Sequence, residues 1–224
     1  VRLRHLLALL VLALVAACSS PPPPRVAAPP APVMLDPDAA CLKDLEVLGV
    51  AFQPTQSFGN PEDGGCGVSN AVKVSGVDTP WNRPALMSCA LARTMARYQL
   101  EVLQPLALQR FGKPLRKVHH AGTYDCRIQR NNTTAAAAQR GSRGGRLSEH
   151  SKGMAIDLTA FELADGTMIS VKRDWREGGA KSAFLKDAAR ASCNVFNVVL
   201  TPNHDRFHQD HFHLDIGPHT LCGY

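Results

Sequence analysis

Six cysteines, Cys41, Cys66, Cys89, Cys126, Cys193 and Cys222, are spread across most of a 224-residue chain, and no two of them form a C-x-x-C pair. That spacing argues against a cysteine-based zinc site, which gathers its thiolates in closely spaced pairs. An even number of distant cysteines points instead to disulfides that fasten remote segments together, and hence to an oxidising compartment. The sequence does not choose among the many possible pairings.

The seventh cysteine has a different setting. Arg2 and Arg4 precede an apolar run, LLALLVLALVAA, from Leu6 to Ala17, and Cys18 follows it. The run is too short to span a bilayer and ends in small residues, the pattern of a cleavable export signal over residues 1–17. Val15-Ala16-Ala17-Cys18 resembles a bacterial lipobox, which implies cleavage before Cys18 and a lipid on its sulfur. Residues 18–37 form a Pro- and Ala-rich spacer that buries no core. It is expected to hold a domain of residues 38–224 away from a membrane. The expected setting is the bacterial cell envelope, with a monomeric lipoprotein anchored through Cys18 and facing the periplasm.

Hydrophobic residues make up 45% of the chain and charged residues 20%, which allows a packed core and excludes a disordered protein. The formal net charge of +6 suits an anionic polymer or a membrane surface. There is no Lys/Arg block and no aromatic ladder, so nucleic acid is not an expected partner.

Periodicity predicts one long helix from about Pro84 to Phe111. Leu86, Cys89, Ala92, Ala96, Leu100 and Leu103 form its apolar stripe, Pro105 kinks or ends it, and Gly112 with Pro114 stops it. A shorter helix is expected over Ala180–Ala191. Strands are expected at Arg116–Ala121, Met154–Phe161, Met168–Val171, Val195–Leu200 and His211–Ile216, with Asp165-Gly166 turning the second into the third. A polar, Gly-rich loop is expected over residues 131–145. This order reads as an α+β domain with a small, mostly antiparallel sheet and flanking helices.

Two segments carry the chemistry. In His208-Gln209-Asp210-His211-Phe212-His213-Leu214-Asp215, strand alternation sends His211, His213 and Asp215 to one face and Phe212, Leu214 and Ile216 to the other. The apolar set faces the core and the polar set lines a cleft. Five of the nine histidines fall between His204 and His219, a density that chance seldom gives. In Ser148-Glu149-His150-Ser151-Lys152-Gly153-Met154-Ala155-Ile156-Asp157, His150 sits on a loop, Gly153 permits a sharp turn, and Asp157 faces away from the buried Met154, Ile156 and Leu158. A catalytic zinc site takes three N/O ligands and keeps a position open. His150, Asp157 and one histidine of the second segment supply such a set. His119 and His120 read as structural, and His204 and His219 as surface residues.

The pattern S-x-H-x-x-G-x-A-x-D with a downstream H-x-H resembles the LAS metallopeptidase superfamily. That group includes D-alanyl-D-alanine carboxypeptidases, murein endopeptidases and the hedgehog signalling domain. The whole of about Cys41–Tyr224 is similar to the bacterial extensin-like C-terminal domain family, through GCGV at Gly65–Val68, YDCR at Tyr124–Arg127 and SEHSKGMAID. The resemblance implies a LAS- or hedgehog-like fold and a Zn2+ ion on His150, Asp157 and His213. It implies His211 as the proton-accepting group, with His208 second in line. Arg127 is implied to stabilise the carbonyl oxygen or bind a substrate carboxylate. Ser148 and Tyr124 are expected on the substrate side, Ser148 as a hydrogen-bond partner, since no G-x-S-x-G elbow exists to make it a nucleophile. Many relatives place a glutamate in E-x-x-H. Here His208 and Asp210 stand three residues before His211 and His213, a pattern nearer the murein endopeptidases. The implied substrates are peptidoglycan peptides. The alternative is a zinc-containing peptidoglycan-binding or scaffolding lipoprotein without catalysis.

Overall fold

The computed structural model describes residues 37–130 and 145–223. The export signal, Cys18, the spacer up to Asp36 and all but Gly145 of the expected 131–145 loop lie outside the described residues. The domain is α+β. Helix α1 (Pro37–Val47) precedes β1 (Val50–Pro54), the short β2 (Phe58–Gly59) and β3 (Gly67–Val68), then β4 (Ala71–Val77) and β5 (Thr79–Ser88). Helices α2 (Cys89–Arg97) and α3 (Gln104–Phe111) follow, joined by a π-helical segment (Tyr98–Leu103), and lead to β6 (Leu115–Gly122). A 3-10 turn (Glu149–Lys152) enters β7 (Ala155–Leu163). Next come β8 (Met168–Ser170), α4 (Val171–Asp174), α5 (Gly179–Ser192), β9 (Val198–Leu200), β10 (Phe212–Asp215) and β11 (Leu221–Gly223).

The main sheet has nine strands in the order β1-β4-β5-β6-β7-β10-β9-β11, with β8 also paired to β7. It is larger than the small sheet expected from the sequence. It is mostly antiparallel; β5/β6 and β9/β11 run parallel. The extra strands are β1, β4, β5 and β11, none of which the sequence pattern predicts.

The helix expected from Pro84 begins instead at Cys89. Ser88 caps it, its Oγ accepting from the backbone N–H of Leu91 at 3.3 Å. Pro84 belongs to β5, at a bulge: Pro80 pairs with Gly76 and the next residue in register is Ala85, opposite Val74. Proline is tolerated there because a bulge asks for no ladder N–H. Asn82 replaces the missing ladder with its side chain, accepting from His120 N at 3.0 Å and donating to His120 O at 3.1 Å. Pro105 does not end the helix, which runs on to Phe111. The π-helical segment just before it shifts the ladder, so that Gln104 N donates to Gln99 O. A proline ring and its missing N–H are thereby accommodated.

One core unites the sheet and the helices. Leu91, Met95 and Leu103 of the long helix, Phe184, Leu185 and Ala188 of α5, and Ile156, Leu158, Phe212 and Leu214 of the sheet are all fully buried in it. Burying each such side chain contributes about 1.5–3 kcal/mol. Pairing of His119 with Ala160 and of His120 with Leu158 leaves Thr159 as an extra residue in β7. The bulge flips the alternation, so Phe161 turns into the core against Phe184 while Asp157 points the other way. Three disulfides, Cys41–Cys89, Cys66–Cys126 and Cys193–Cys222, resolve the pairing the sequence left open.

Candidate metal centre

Asp157 and His213 are direct register partners on the antiparallel strands β7 and β10. Side chains so paired stand about 4.5–5.5 Å apart at Cβ, close enough to share a ligand. His150 reaches them from the 3-10 turn. Ser148 caps that turn, its Oγ accepting from His150 N at 3.4 Å. Gly153 ends the turn at φ 62° with its N–H on His150 O at 3.1 Å. A Cβ on Gly153 would also lie 2.9 Å from Val68 Cγ2, so both backbone conformation and space demand glycine.

The partners of each imidazole fix where its proton lies. His150 Nδ1 donates to the carbonyl of Thr123 at 2.9 Å, leaving Nε2 as a lone pair. His213 Nε2 donates to the Asp215 carboxylate at 3.0 Å, leaving Nδ1 toward the site. His150 Nε2, His213 Nδ1 and Asp157 Oδ1 form a triangle with every side 3.1 Å. Three such groups 3.1 Å from one another, the two imidazoles buried and the carboxylate partly so, call for a positive charge among them, a proton or a metal ion. Bonds of roughly 2.0–2.1 Å to a tetrahedral zinc would give ligand–ligand edges of about 3.3 Å. The described residues therefore fit a metal at His150, Asp157 and His213.

The electrostatics state the same demand. Burial pushes the Asp157 carboxyl up, but hydrogen bonds to His150 and His213 outweigh it and hold it well below the usual carboxylate range. Burial alone would lower the pKa of His213. The carboxylates of Asp157 and Asp215 on either side reverse this and raise it to about 9. With no metal bound, a proton on His213 supplies the positive charge that the carboxylates of Asp157 and Asp215 beside it need.

Two further imidazoles repeat the arrangement. His208 Nδ1 donates to Asp205 Oδ1 at 2.7 Å, and burial, outweighing Asp205, lowers its pKa to about 4, so it is neutral at pH 7. His211 Nδ1 donates to Asp210 Oδ1 at 2.8 Å, and its Nε2 lies 3.6 Å from Asp157 Oδ1. The rings of His208 and His211 are 5.2 Å apart. All four imidazoles thus have one nitrogen held by an oxygen acceptor.

Asp157, His208, His211 and His213 line a cleft of about 280 Å³, with His150 buried behind them. Arg127, Arg130 and Arg146 contribute cationic lining, and Val198, Leu200 and Leu221 an apolar part. Arg127 is braced by Asp125, Nε to Oδ2 at 2.9 Å. Ser148 lines the cleft as well as capping the His150 turn. Tyr124 is not among the lining residues; its ring packs edge-on against Phe58. His204 and His219 are exposed, as expected, and also line the cleft. His120 is buried and structural, its Nε2 donating to Arg83 O at 3.0 Å.

Sequence reasoning missed the acceptors behind the histidines. Asp205, Asp210 and Asp215 lie within three residues of His208, His211 and His213, a local spacing that could have revealed them. The Thr123 carbonyl and the buried, cleft-lining Glu149 carry no comparable signal.

No curated protein and no solved structure matches the chain. A family model described as the extensin-like protein C-terminus matches residues 39–223. That match covers the described domain from α1 to β11 and every residue of the metal centre, and the chain belongs to the extensin-like protein C-terminus family.

Proposed function

We propose that this chain is a zinc-dependent peptidase that cleaves amide bonds of peptidoglycan peptides, held at the bacterial envelope by a lipid on Cys18. The carrying observation is the 3.1 Å triangle of His150, His213 and Asp157 acceptors, with the further imidazoles of His208 and His211 lining the same cleft. Three N/O ligands with one open side suit catalytic rather than structural zinc. The three disulfides are in keeping with an oxidising compartment.

Zinc held by His150, Asp157 and His213 supplies a Lewis acid and makes a nearby water more acidic. The chain's own groups do the rest. His211, its Nδ1 committed to Asp210, takes the proton of the attacking water on Nε2. His208, neutral and oriented by Asp205, is the second proton-handling group. Arg127 faces the negative charge that develops on the carbonyl oxygen. Asp215 and the Thr123 carbonyl keep the two ligand imidazoles in the binding tautomer.

The test is zinc content and release of muropeptides from purified sacculi, for the full chain with and without chelator. Wild type should bind one zinc and release peptide products. His150→Ala should lose both. His211→Ala should keep zinc and lose roughly 100-fold or more of the hydrolysis rate. Wild type that binds zinc yet leaves every muropeptide intact would replace the peptidase reading with a binding or scaffolding one.

A further inference from the structure

The segment between β9 and β10, residues 201–211, carries His204, His208 and His211, and it has no helix or strand of its own. Its internal backbone bonds are few: His204 N to Thr201 O at 2.9 Å and His208 N to Asp205 O at 3.4 Å. Side chains hold the remainder. Gln209, next to His208, donates through Nε2 to Pro202 O at 2.8 Å and to Asp205 O at 2.7 Å. Arg176 closes the arrangement from outside. It donates to Gln209 Oε1 at 3.0 Å and to Pro202 O at 2.8 Å, linking the start of the segment to the residue between the two site histidines.

Arg176 itself stands on firm ground. The preceding Trp175 is buried, its ring meets Phe212 edge-on with centroids 5.4 Å apart, and its Nε1 donates to Asn203 Oδ1 at 2.9 Å. The Trp175 carbonyl accepts from Ser182 Oγ of α5 at 2.9 Å. Arg176 is exposed and does not line the cleft. The metal ligands are held by other means: Asp157 and His213 by paired strands, His150 by its capped turn.

From this we infer that Arg176 is a positioning residue, acting with Gln209 as a clasp that holds the His208 and His211 imidazoles in place without touching the metal centre. The catalytic consequence rests on the peptidase reading above; the positioning itself does not. The planar fork of arginine suits two oxygens at once, whereas lysine offers a single point charge.

The experiment uses the full chain with 15N-labelled histidine, wild type and the variants Arg176→Ala, Arg176→Lys and Gln209→Ala, followed by ring-nitrogen NMR, zinc content and muropeptide release. In wild type, His208 should show one tautomer with its proton on Nδ1. In Arg176→Ala and Gln209→Ala, the His208 and His211 signals should average between tautomers while those of His150 and His213 stay unchanged. Zinc content should hold, and kcat should fall up to about 100-fold with KM little altered. Arg176→Lys should fall short of rescue, and the double variant should be no worse than either single one. Unchanged His208 and His211 tautomers in Arg176→Ala would overturn the inference. Equal disturbance of His150 and His213 would overturn it too, since that would mark a general loosening. If wild type releases no peptide, the peptidase reading falls, and the tautomers still judge the clasp.

Discussion

Asp215→Asn should weaken zinc binding although Asp215 is not a ligand in the triangle. The wild-type carboxylate is buried and accepts twice, from His213 Nε2 at 3.0 Å and from Gly217 N at 2.9 Å. Asparagine keeps the shape but has one acceptor oxygen and one NH2. If the oxygen stays on Gly217, the NH2 faces His213 Nε2, and the ring proton must move to Nδ1, the atom that faces Asp157. If the oxygen stays on His213, two donors meet at Gly217 in a buried place, at a cost of about 1–3 kcal/mol. Loss of such an outer partner lowers metal affinity by roughly 10- to 100-fold, about 1.4–2.7 kcal/mol. Removing the Asp215 charge also lowers the pKa of His213, so less proton has to be displaced, and the lower end of that range is expected at pH 7. The assay is competition against a fluorescent zinc chelator with the full chain, and Asp205→Asn is the control. Asp205 backs His208 in the same way, but His208 is outside the triangle, so its variant should bind zinc as wild type does. An Asp215→Asn affinity within about twofold of wild type would refute the reasoning, as would an equal loss in the control.

Chelator-treated protein should lose stability as pH rises. The folded-state pKa of His213 is raised from 6.5 to about 9, so its contribution is fully present below 6.5 and is lost as pH climbs through about 9. The scale is roughly 3 kcal/mol, and zinc-loaded protein should lack this loss because its Nδ1 carries no proton. Urea unfolding at pH 6 and pH 9.5, each with and without chelator, checks it; identical pH dependence in both forms would count against the proton-for-metal exchange. Gly217→Ala should cost about 1–3 kcal/mol, because the new Cβ would lie 2.6 Å from Cγ and Cδ of the buried Glu149. Its urea midpoint should fall, and a midpoint equal to wild type would mean that Glu149 moves aside freely.

The centre was more legible in the sequence than the frame that holds it. Alternation in His211–Ile216 places His213 and Asp215 on the cleft side and Phe212 and Leu214 in the core, because β10 pairs with both neighbours without a bulge and so keeps a period of two. The strands β6 to β10 are legible for the same reason, with ends shifted by a few residues, whereas the short β11 is not. The Asp157 register with His213 was beyond reach, since pairing across 56 residues leaves no local trace. The first part of the sheet was missed where local signals conflict. Two prolines in Thr79–Ser88 argue against a strand, and only the bulge and the Asn82 side chain make them acceptable. The Thr159 bulge hid the change of face along β7, which sequence alternation cannot register.

The three disulfides also bear on when a metal could usefully be met. Reduced, the chain of residues 37–223 would carry six thiols, and thiolates are softer zinc ligands than two imidazoles and a carboxylate. Zinc met before oxidation would be drawn to cysteines from different parts of the fold and would hold them apart from their proper partners. Pairing Cys66 with Cys126 removes two of those competitors and secures the stretch whose Thr123 carbonyl orients His150. If the centre takes zinc, loading after disulfide formation avoids this competition, and material folded in a reducing cytosol with abundant zinc would start from the wrong ligands.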